Sequence, residues 1–203
     1  MTHAARWGGA RDEVTRDPVD RASEAMDRYA SGEETAFSDL YEALSPRLFG
    51  FLLRLSGEPS TAEDLLQQTF LQMHDARARF VQGANVAPWA MAIGRRLYID
   101  MLRRTKGRAT DIVASDVIER MTVSPTTNPE EWLIAHETEA AIDAGLATLK
   151  PSQREAFRLI KQEGLSVADA AAVLGTTSAA VKLRAHRAYR HLRATLGAVG
   201  RTR

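Results

Sequence analysis

The sequence predicts an all-α protein built from two small helical domains joined by a flexible linker. Only 6% of the 203 residues are aromatic, whereas Ala, Leu and Arg, which favour helices, are abundant. Apolar residues recur at helical spacing in both halves of the chain. Between the halves, residues 105–128 carry Gly, Pro, Ser and Thr without sustained periodicity, as linkers do. We therefore divide the chain into a disordered tail (1–18), a first domain (19–104), the linker (105–128) and a second domain (129–203).

Composition excludes several classes of function. The chain has no cysteine, and its five histidines show no metal-ligand spacing, so we expect no metal site and no cofactor. No nucleophile–base pair, paired carboxylates or phosphate-binding loop is visible, which makes an enzyme the weakest option. No apolar run approaches the roughly 20 residues that span a bilayer, and the N-terminus lacks a signal-peptide core. We expect a cytoplasmic protein without membrane insertion.

Three helices are predicted in the first domain. The first has an apolar face from Phe37 to Leu55 and could kink near Pro46. Ser60 or Thr61 can cap the second, which buries Leu66, Phe70 and Met73 and runs to about Phe80. Residues 81–88 break the periodicity, and a third helix follows from Trp89 to Arg104.

Four helical segments are predicted in the second domain. The first begins at about Pro129, with Trp132, Ile134, Ala141, Ile142 and Leu146 on one face, and Lys150-Pro151 interrupts it. Three more helices follow, at Ser152–Glu163, Val167–Leu174 and Ser178 to about Leu196. Ser166 is placed to cap the second of these, and Gly175 to form the tight turn after it.

The last two helices carry a helix-turn-helix signature. From Ser178 to Arg203 there are seven Lys or Arg residues and no acid. An ordinary helical hairpin with a basic outer face would look similar, but the absence of acids favours DNA binding. Base edges would be read from the start of the last helix and phosphates held further along it. The candidates for bases are Ser178, Ala179, Lys182, Leu183 and His186, and those for phosphates are Arg184, Arg187 and Arg190.

The first domain offers two further candidate surfaces. The helix from Ala62 exposes acidic and amide side chains, which suit a protein partner or water equally. Between Arg95 and Arg108, six basic residues face a single acid, Asp100, and a small, polar loop precedes them. Such a helix and loop could hold single-stranded nucleic acid, with an unstacked base against the loop. We expect Trp89 to pack in the core, while the pattern leaves Tyr98 undecided between core and stacking. The candidate nucleic-acid residues are Gln82, Asn85, Arg95, Arg96, Arg103 and Arg104.

Two separate blocks of the sequence resemble a known family. The stretch AEDLLQQTF at 62–70, followed by APW at 87–89 and IGRRLYID at 93–100, resembles region 2 of bacterial extracytoplasmic-function (ECF) sigma factors. LKPSQRE at 149–155, followed by the helix-turn-helix and VKLRAHRA at 181–188, resembles their region 4. The resemblance covers about residues 25–104 and 129–196. It implies a sigma factor that binds core RNA polymerase, directs promoter-specific transcription initiation and catalyses no reaction.

The resemblance also implies partners for each surface. The helix bearing Asp64, Leu65, Gln67 and Gln68 would dock on the clamp helices of the largest polymerase subunit. The loop and the arginine-bearing helix would open the minus-ten element and hold a flipped base, while the last helix would read the minus-thirty-five element. The flap of the second-largest subunit and an anti-sigma factor are further expected partners. Arg96 stands where the family frequently has an Asn that helps to select the minus-ten bases.

Two rival functions stay open on the sequence alone. A two-domain helix-turn-helix regulator could bind DNA without replacing a sigma factor, and it would need an apolar ligand cavity in its first domain. A protein that binds only other proteins, such as an anti-sigma factor or adaptor, would have no use for the uniformly basic last helix.

Overall fold

The described residues form helices joined by turns and contain no β-strand, which confirms the all-α prediction. The computed structural model describes residues 18–106 and 144–199. Besides the helices, these residues include a 3₁₀ turn at Arg77–Arg79 and a short helical stretch at 144–147. The helices are α1 (Pro18–Ala30), α2 (Ala36–Ser56), α3 (Pro59–Ala76), α4 (Val86–Lys106), α5 (Pro151–Lys161), α6 (Val167–Leu174) and α7 (Ser178–Val199).

Contacts divide the chain into two compact units. Within the described residues, the first unit comprises 18–53 and 59–97, and the second comprises 54–58, 98–106 and 144–199. The predicted linker and the predicted first helix of the second domain, with Trp132, Ile134, Ala141 and Ile142, lie outside the described residues, as does nearly all of the predicted tail. The domain bounds at 104 and 129 therefore stay predictions.

Helix α1 was missed by the sequence prediction, although its pattern is legible. Ala22, Ala25, Met26 and Tyr29 stand at i, i+3, i+4 and i+7, and all four are at most 3% exposed. Two of these four residues are alanines, and charged residues stand between them in the sequence, which weakens the hydrophobic signal. Helix α1 is therefore an integral part of the first unit.

The apolar face of α2 forms much of the core of the first unit. Pro46 lies inside this helix, which continues as one element from Ala36 to Ser56. Tyr41 departs from its predicted place on the face because it is 43% exposed, with its ring centroid 4.8 Å from that of Phe70. The buried residues are Ala36, Leu40, Leu44, Leu48, Phe51 and Leu52.

Three predicted helix boundaries were wrong. Helix α3 begins at Pro59, a residue that suits the first helical position, so Ser60 and Thr61 lie in its first turn instead of capping it. It ends at Ala76 and gives way to the 3₁₀ turn before Phe80. Helix α4 begins at Val86, three residues before Trp89, and Asn85 caps it through Oδ1, which accepts the Ala87 N–H at 2.9 Å.

The second unit holds the predicted helix-turn-helix. Ser166 caps α6 by accepting the Asp169 N–H at 3.1 Å, and Gly175 ends the helix in the left-handed conformation, with φ of 60°, so both predictions are confirmed. Leu146, Leu149, Ala188 and Leu192 form a buried cluster, with Phe157 packed against it. This cluster fixes α7 from its inner side and leaves its outer side to solvent.

Candidate functional site

The exposed face of α3 is a polar strip with one apolar side chain. Asp64, Gln67 and Gln68 are exposed, as predicted from their positions opposite the buried stripe. Leu71 continues the same face and is 64% exposed, a residue that the sequence prediction did not include. Leu65 is 3% exposed and belongs to the core, so its assignment to the binding surface was wrong. The face that a partner can touch is therefore Asp64, Gln67, Gln68 and Leu71.

The loop between the 3₁₀ turn and α4, residues 81–85, forms a tight turn. Ala84 N–H donates to the Val81 carbonyl at 3.0 Å, and Gly83 has φ of +74°, as the third residue of a type II turn requires. The loop is shorter than the predicted 81–88 because Val86, Ala87 and Pro88 are buried in the first turn of α4. Val81, Gln82 and Asn85 remain exposed on this turn.

Hydrogen bonds join this loop to α1. The carboxylate of Asp27 accepts the Gly83 N–H at 3.0 and 3.1 Å, and the Gln82 amide Nε2 donates to the Ser31 hydroxyl at 2.8 Å. A depression of about 510 Å³ lies beside these contacts, lined by Asp27, Arg28, Ser31, Glu33 and Gln82. Arg28 is held at its rim by Glu33 at 2.8 Å and by Asp39 at 2.5 Å. The depression thus presents hydrogen-bonding groups of both polarities next to the loop.

Helix α4 carries the predicted arginines at different depths. Arg96, Arg103 and Arg104 are exposed, whereas Arg95 is half-buried. Arg103 forms an ion pair with Asp100 at 3.5 Å, one turn away. Arg96 and Arg104 are therefore the arginines of this helix best placed to meet a phosphate backbone.

The two aromatic residues of α4 are only partly buried. Trp89 is half-buried, and its ring packs against that of Phe80, the residue that precedes the 81–85 loop, with the ring centroids 5.2 Å apart. Tyr98 is also half-buried, and the choice between core and stacking stays open.

The outward side of α7 carries the predicted DNA-reading residues. Ser178, Ala179, Lys182, Leu183 and His186 are exposed, and Leu183 is 51% exposed on the line that points away from the core. The hydroxyl of Thr177 accepts the Ala180 N–H at 3.2 Å, which caps the helix and was not predicted.

Further along α7 the side chains are basic. Arg187 and Arg190 are exposed and Arg184 is half-buried, while the sequence of α7 contains no acid. Tyr189, 52% exposed, lies on the flank next to Lys182 and was missed because an isolated Tyr gives no pattern. The outer side of α7 thus mixes small, apolar and basic side chains at its start and is mainly cationic beyond, as expected for a helix that enters a groove between phosphates.

Two kinds of site are absent from the described residues. Within 18–106 and 144–199, no group of three His, Asp or Glu side chains is placed to hold a metal ion. No helix in those ranges combines the length and the apolar content that a membrane span needs.

Comparison with known proteins gives two family matches. Residues 40–108 match the model for sigma-70 region 2, and residues 139–192 match the model for sigma-70 region 4. The chain is 37% identical over 172 residues to the RNA polymerase sigma factor CarQ of Myxococcus xanthus, which covers 85% of this chain and 95% of CarQ. It is 32% identical over 184 residues to the ECF RNA polymerase sigma factor SigF of Caulobacter vibrioides, covering 87% of this chain and 94% of SigF.

Solved structures with the same fold include two complexes. The sigma factor RpoE bound to the anti-sigma factor NepR, from Bartonella quintana, matches with a TM-score of 0.63 and 25% identity, over 79% of this chain and 96% of that one. CnrH, in complex with the cytosolic domain of CnrY, matches with a TM-score of 0.61 and 24% identity, over 88% of this chain and 99% of that one. The second likeness concerns the fold alone.

Proposed function

This chain belongs to the ECF group of the sigma-70 family and is therefore a transcription initiation factor, and we propose which of its surfaces perform the two tasks of binding core RNA polymerase and recognising a promoter. The proposal rests on one observation. The chain contains the two family regions in the expected order, and each region carries a surface of different chemistry. The strip on α3 is polar and weakly acidic, and the outer side of α7 is cationic. A protein partner suits the first and DNA suits the second.

The strip on α3 docks on the clamp helices of the largest polymerase subunit. Asp64 provides charge, Gln67 and Gln68 provide hydrogen-bonding groups, and Leu71 provides an apolar contact that would be buried on docking. A polar ring around an apolar anchor is the arrangement in which interface residues contribute most to binding. Leu65 supports this surface from the core without touching the partner.

The 81–85 loop and α4 engage the minus-ten element as single-stranded DNA. Gln82 and Asn85 face solvent on a rigid turn, where they can contact an unstacked base. Asn85 would act through its amide nitrogen, since its oxygen caps α4. Arg95, Arg96, Arg103 and Arg104 supply positive charge along α4 for the strand's phosphates, and of these Arg96, Arg103 and Arg104 are exposed.

Helix α7 reads the minus-thirty-five element in the major groove. Its first two turns bring Ser178, Ala179, Lys182, Leu183 and His186 to base edges. Arg184, Arg187 and Arg190 lie further along and hold phosphates on the groove walls. The flap of the second-largest polymerase subunit is proposed as the protein contact of this second unit.

An anti-sigma factor is proposed as a further partner. RpoE of Bartonella quintana, which is 25% identical to this chain, is bound to the anti-sigma factor NepR in a structure of this fold. The chain itself is proposed to catalyse no reaction and to act in the cytoplasm, where its polymerase and promoters are found. No observation favours the rival regulator that leaves the resident sigma factor in place.

Run-off transcription tests the proposal directly. Core polymerase free of sigma factors is mixed with the full-length chain and with fragments of the genome that encodes it. Discrete transcripts that depend on the chain are expected, and their start sites give the promoter. If the chain fails both to bind core polymerase and to produce transcripts, the proposed function is wrong.

A further inference from the structure

We propose that Asp27 of α1 is a positioning residue that holds the 81–85 loop in the conformation in which it captures promoter DNA. The inference rests on the proposed role of that loop in minus-ten recognition. It assigns a function to α1, the helix that the sequence prediction missed. Asp27 touches no DNA in this scheme and acts through the backbone of Gly83.

The contact between Asp27 and Gly83 is well placed for this task. Both carboxylate oxygens lie within hydrogen-bond distance of the Gly83 N–H, at 3.0 and 3.1 Å. A bond to a charged acceptor is stronger than one between neutral groups. The N–H of the third residue in a type II turn takes no part in the turn's own hydrogen bond, so it can donate to an acceptor outside the turn. Asp27 provides that acceptor.

Helix α1 also holds the loop on both sides of Gly83. Before it, the Gln82 side chain donates to Ser31 at 2.8 Å, and after it, the Val86 N–H donates to the Ser23 hydroxyl at 3.2 Å. Ser23 and Asp27 of α1 and Ser31, the first residue after the helix, are spaced four apart and therefore lie along one side of α1 and its C-terminal turn. One side of α1 thus acts as a template for the turn.

The template is itself rigid. On its other side α1 buries Ala22, Ala25, Met26 and Tyr29 in the core, so the position of the Asp27 carboxylate is set by packing. A loop that is already ordered loses less conformational entropy when it binds a ligand than a mobile loop does. The 81–85 loop would therefore meet an unstacked base without first having to fold around it.

The test compares three variants of the full-length chain in holoenzyme assembled with core polymerase. Asp27→Ala removes the acceptor, and Asp27→Asn keeps one oxygen that can still accept the Gly83 N–H. Asp20→Ala removes an exposed carboxylate from the same helix and is the matched control. Promoter opening is followed by the permanganate reactivity of thymines in the minus-ten element of a promoter mapped by run-off transcription.

We expect Asp27→Ala to lower the equilibrium constant for promoter opening about tenfold, the effect of losing one charge-assisted hydrogen bond. Asp27→Asn should lower this equilibrium constant by a smaller factor, and Asp20→Ala should leave it at the value of the parent. Binding to core polymerase and the thermal unfolding midpoint should change little in all three. Hydrogen exchange of the Gly83 amide should be slow in the parent and fast in Asp27→Ala.

Several results would overturn the inference while leaving the proposed function intact. One such result is that the Asp27→Ala holoenzyme opens the promoter as well as the parent does and transcribes from the same start site. Another is a loss of opening that is matched by an equal loss of core binding or of thermal stability, since Asp27 would then support only the fold. A Gly83 amide that exchanges equally fast in parent and variant would show that the hydrogen bond does not order the loop.

Discussion

Gly94 of α4 lies so close to Leu52 of α2 that a Cβ atom at position 94 would stand 2.8 Å from the Leu52 Cδ2 and 3.1 Å from the Thr69 Oγ1. Leu52 and Thr69 are both fully buried, and the Thr69 hydroxyl is already committed to the Leu65 carbonyl at 2.6 Å. Neither side chain has room to move away. This close approach brings α4, which carries the candidate minus-ten residues, onto the α2 and α3 pair.

Gly94→Ala is therefore expected to destabilise the first unit. The substitution gains up to about 1 kcal/mol in helix propensity but overpacks the core at a cost of about 1 to 3 kcal/mol. We expect a net loss of about 1 kcal/mol in the free energy of unfolding, measured by urea denaturation. Adding Leu52→Ala should relieve part of the clash. The double variant should therefore lose less free energy of unfolding than the sum of the losses in the two single variants. A Gly94→Ala protein more stable than the parent would contradict the packing described.

The strip on α3 is expected to bind core polymerase. Replacing Asp64 and Gln67 with Ala should weaken core binding about tenfold, and Leu71→Ala should weaken it on its own because an apolar anchor is lost. Affinity is measured by fluorescence anisotropy of the labelled chain with core polymerase. Glu42→Ala, an exposed acid on α2, is the control and should bind like the parent. Unchanged affinity in both α3 variants would show that the docking surface lies elsewhere on the chain.

Lys182 and Arg190 are expected to contribute differently to DNA binding, although they lie on the same helix: Lys182 to sequence recognition and Arg190 to phosphate binding. Lys182 lies near the start of α7, where side chains reach base edges, and Arg190 lies two turns further, beside the phosphates. Lys182→Ala should cost about 1 to 3 kcal/mol on the correct minus-thirty-five duplex and little on a scrambled one. Arg190→Ala should weaken both duplexes similarly and lower the salt slope by about one.

Titrations of the two variants against the two duplexes at several salt concentrations make this comparison. Equal losses on both sequences for Lys182→Ala would show that Lys182 contacts only phosphate. The register of α7 in the groove would then have to be revised.

Alkaline pH is expected to destabilise the first unit through Tyr29. Burial raises the pKa of Tyr29 above its ordinary value of about 10; nearby Glu34 acts in the same direction, while Arg77 opposes it. The folded state therefore favours the neutral phenol. Its contribution to stability is complete below the unfolded pKa of about 10 and is lost as the pH rises through the folded pKa.

Urea denaturation at pH 8 and at about pH 11 measures this effect. Tyr29→Phe should be less stable at pH 8, because the hydrogen bond between the phenol and the His74 Nδ1 is lost. Its stability should fall less between the two pH values than that of the parent. Tyr41→Phe, which changes an exposed tyrosine, should retain the parent's fall. An equal fall in parent and Tyr29→Phe would refute the role of Tyr29.

Regular features of the fold could be predicted because they depend on local spacing. The apolar stripes of α2 and α3, the Ser166 cap and the Gly175 turn each follow from a few neighbouring residues. Helix α1 was missed because two of the four residues on its buried face are small alanines, which give a weak hydrophobic signal. The starts of α3 and α4 were misplaced because Pro59 and Asn85 act at positions that a hydrophobic pattern does not mark.

By itself, the sequence determined that this protein is helical, that it has a basic helix-turn-helix near its C-terminus, and which family its motifs resemble. These properties depend on periodicity, charge and motif spacing, which are all local. Only the tertiary structure decided that Leu65 is buried while Leu71 is exposed, and that Asp27 holds the Gly83 amide 56 positions along the chain. The physical reason is that burial and hydrogen bonding across such separations depend on how helices pack, and packing is a property of the whole unit.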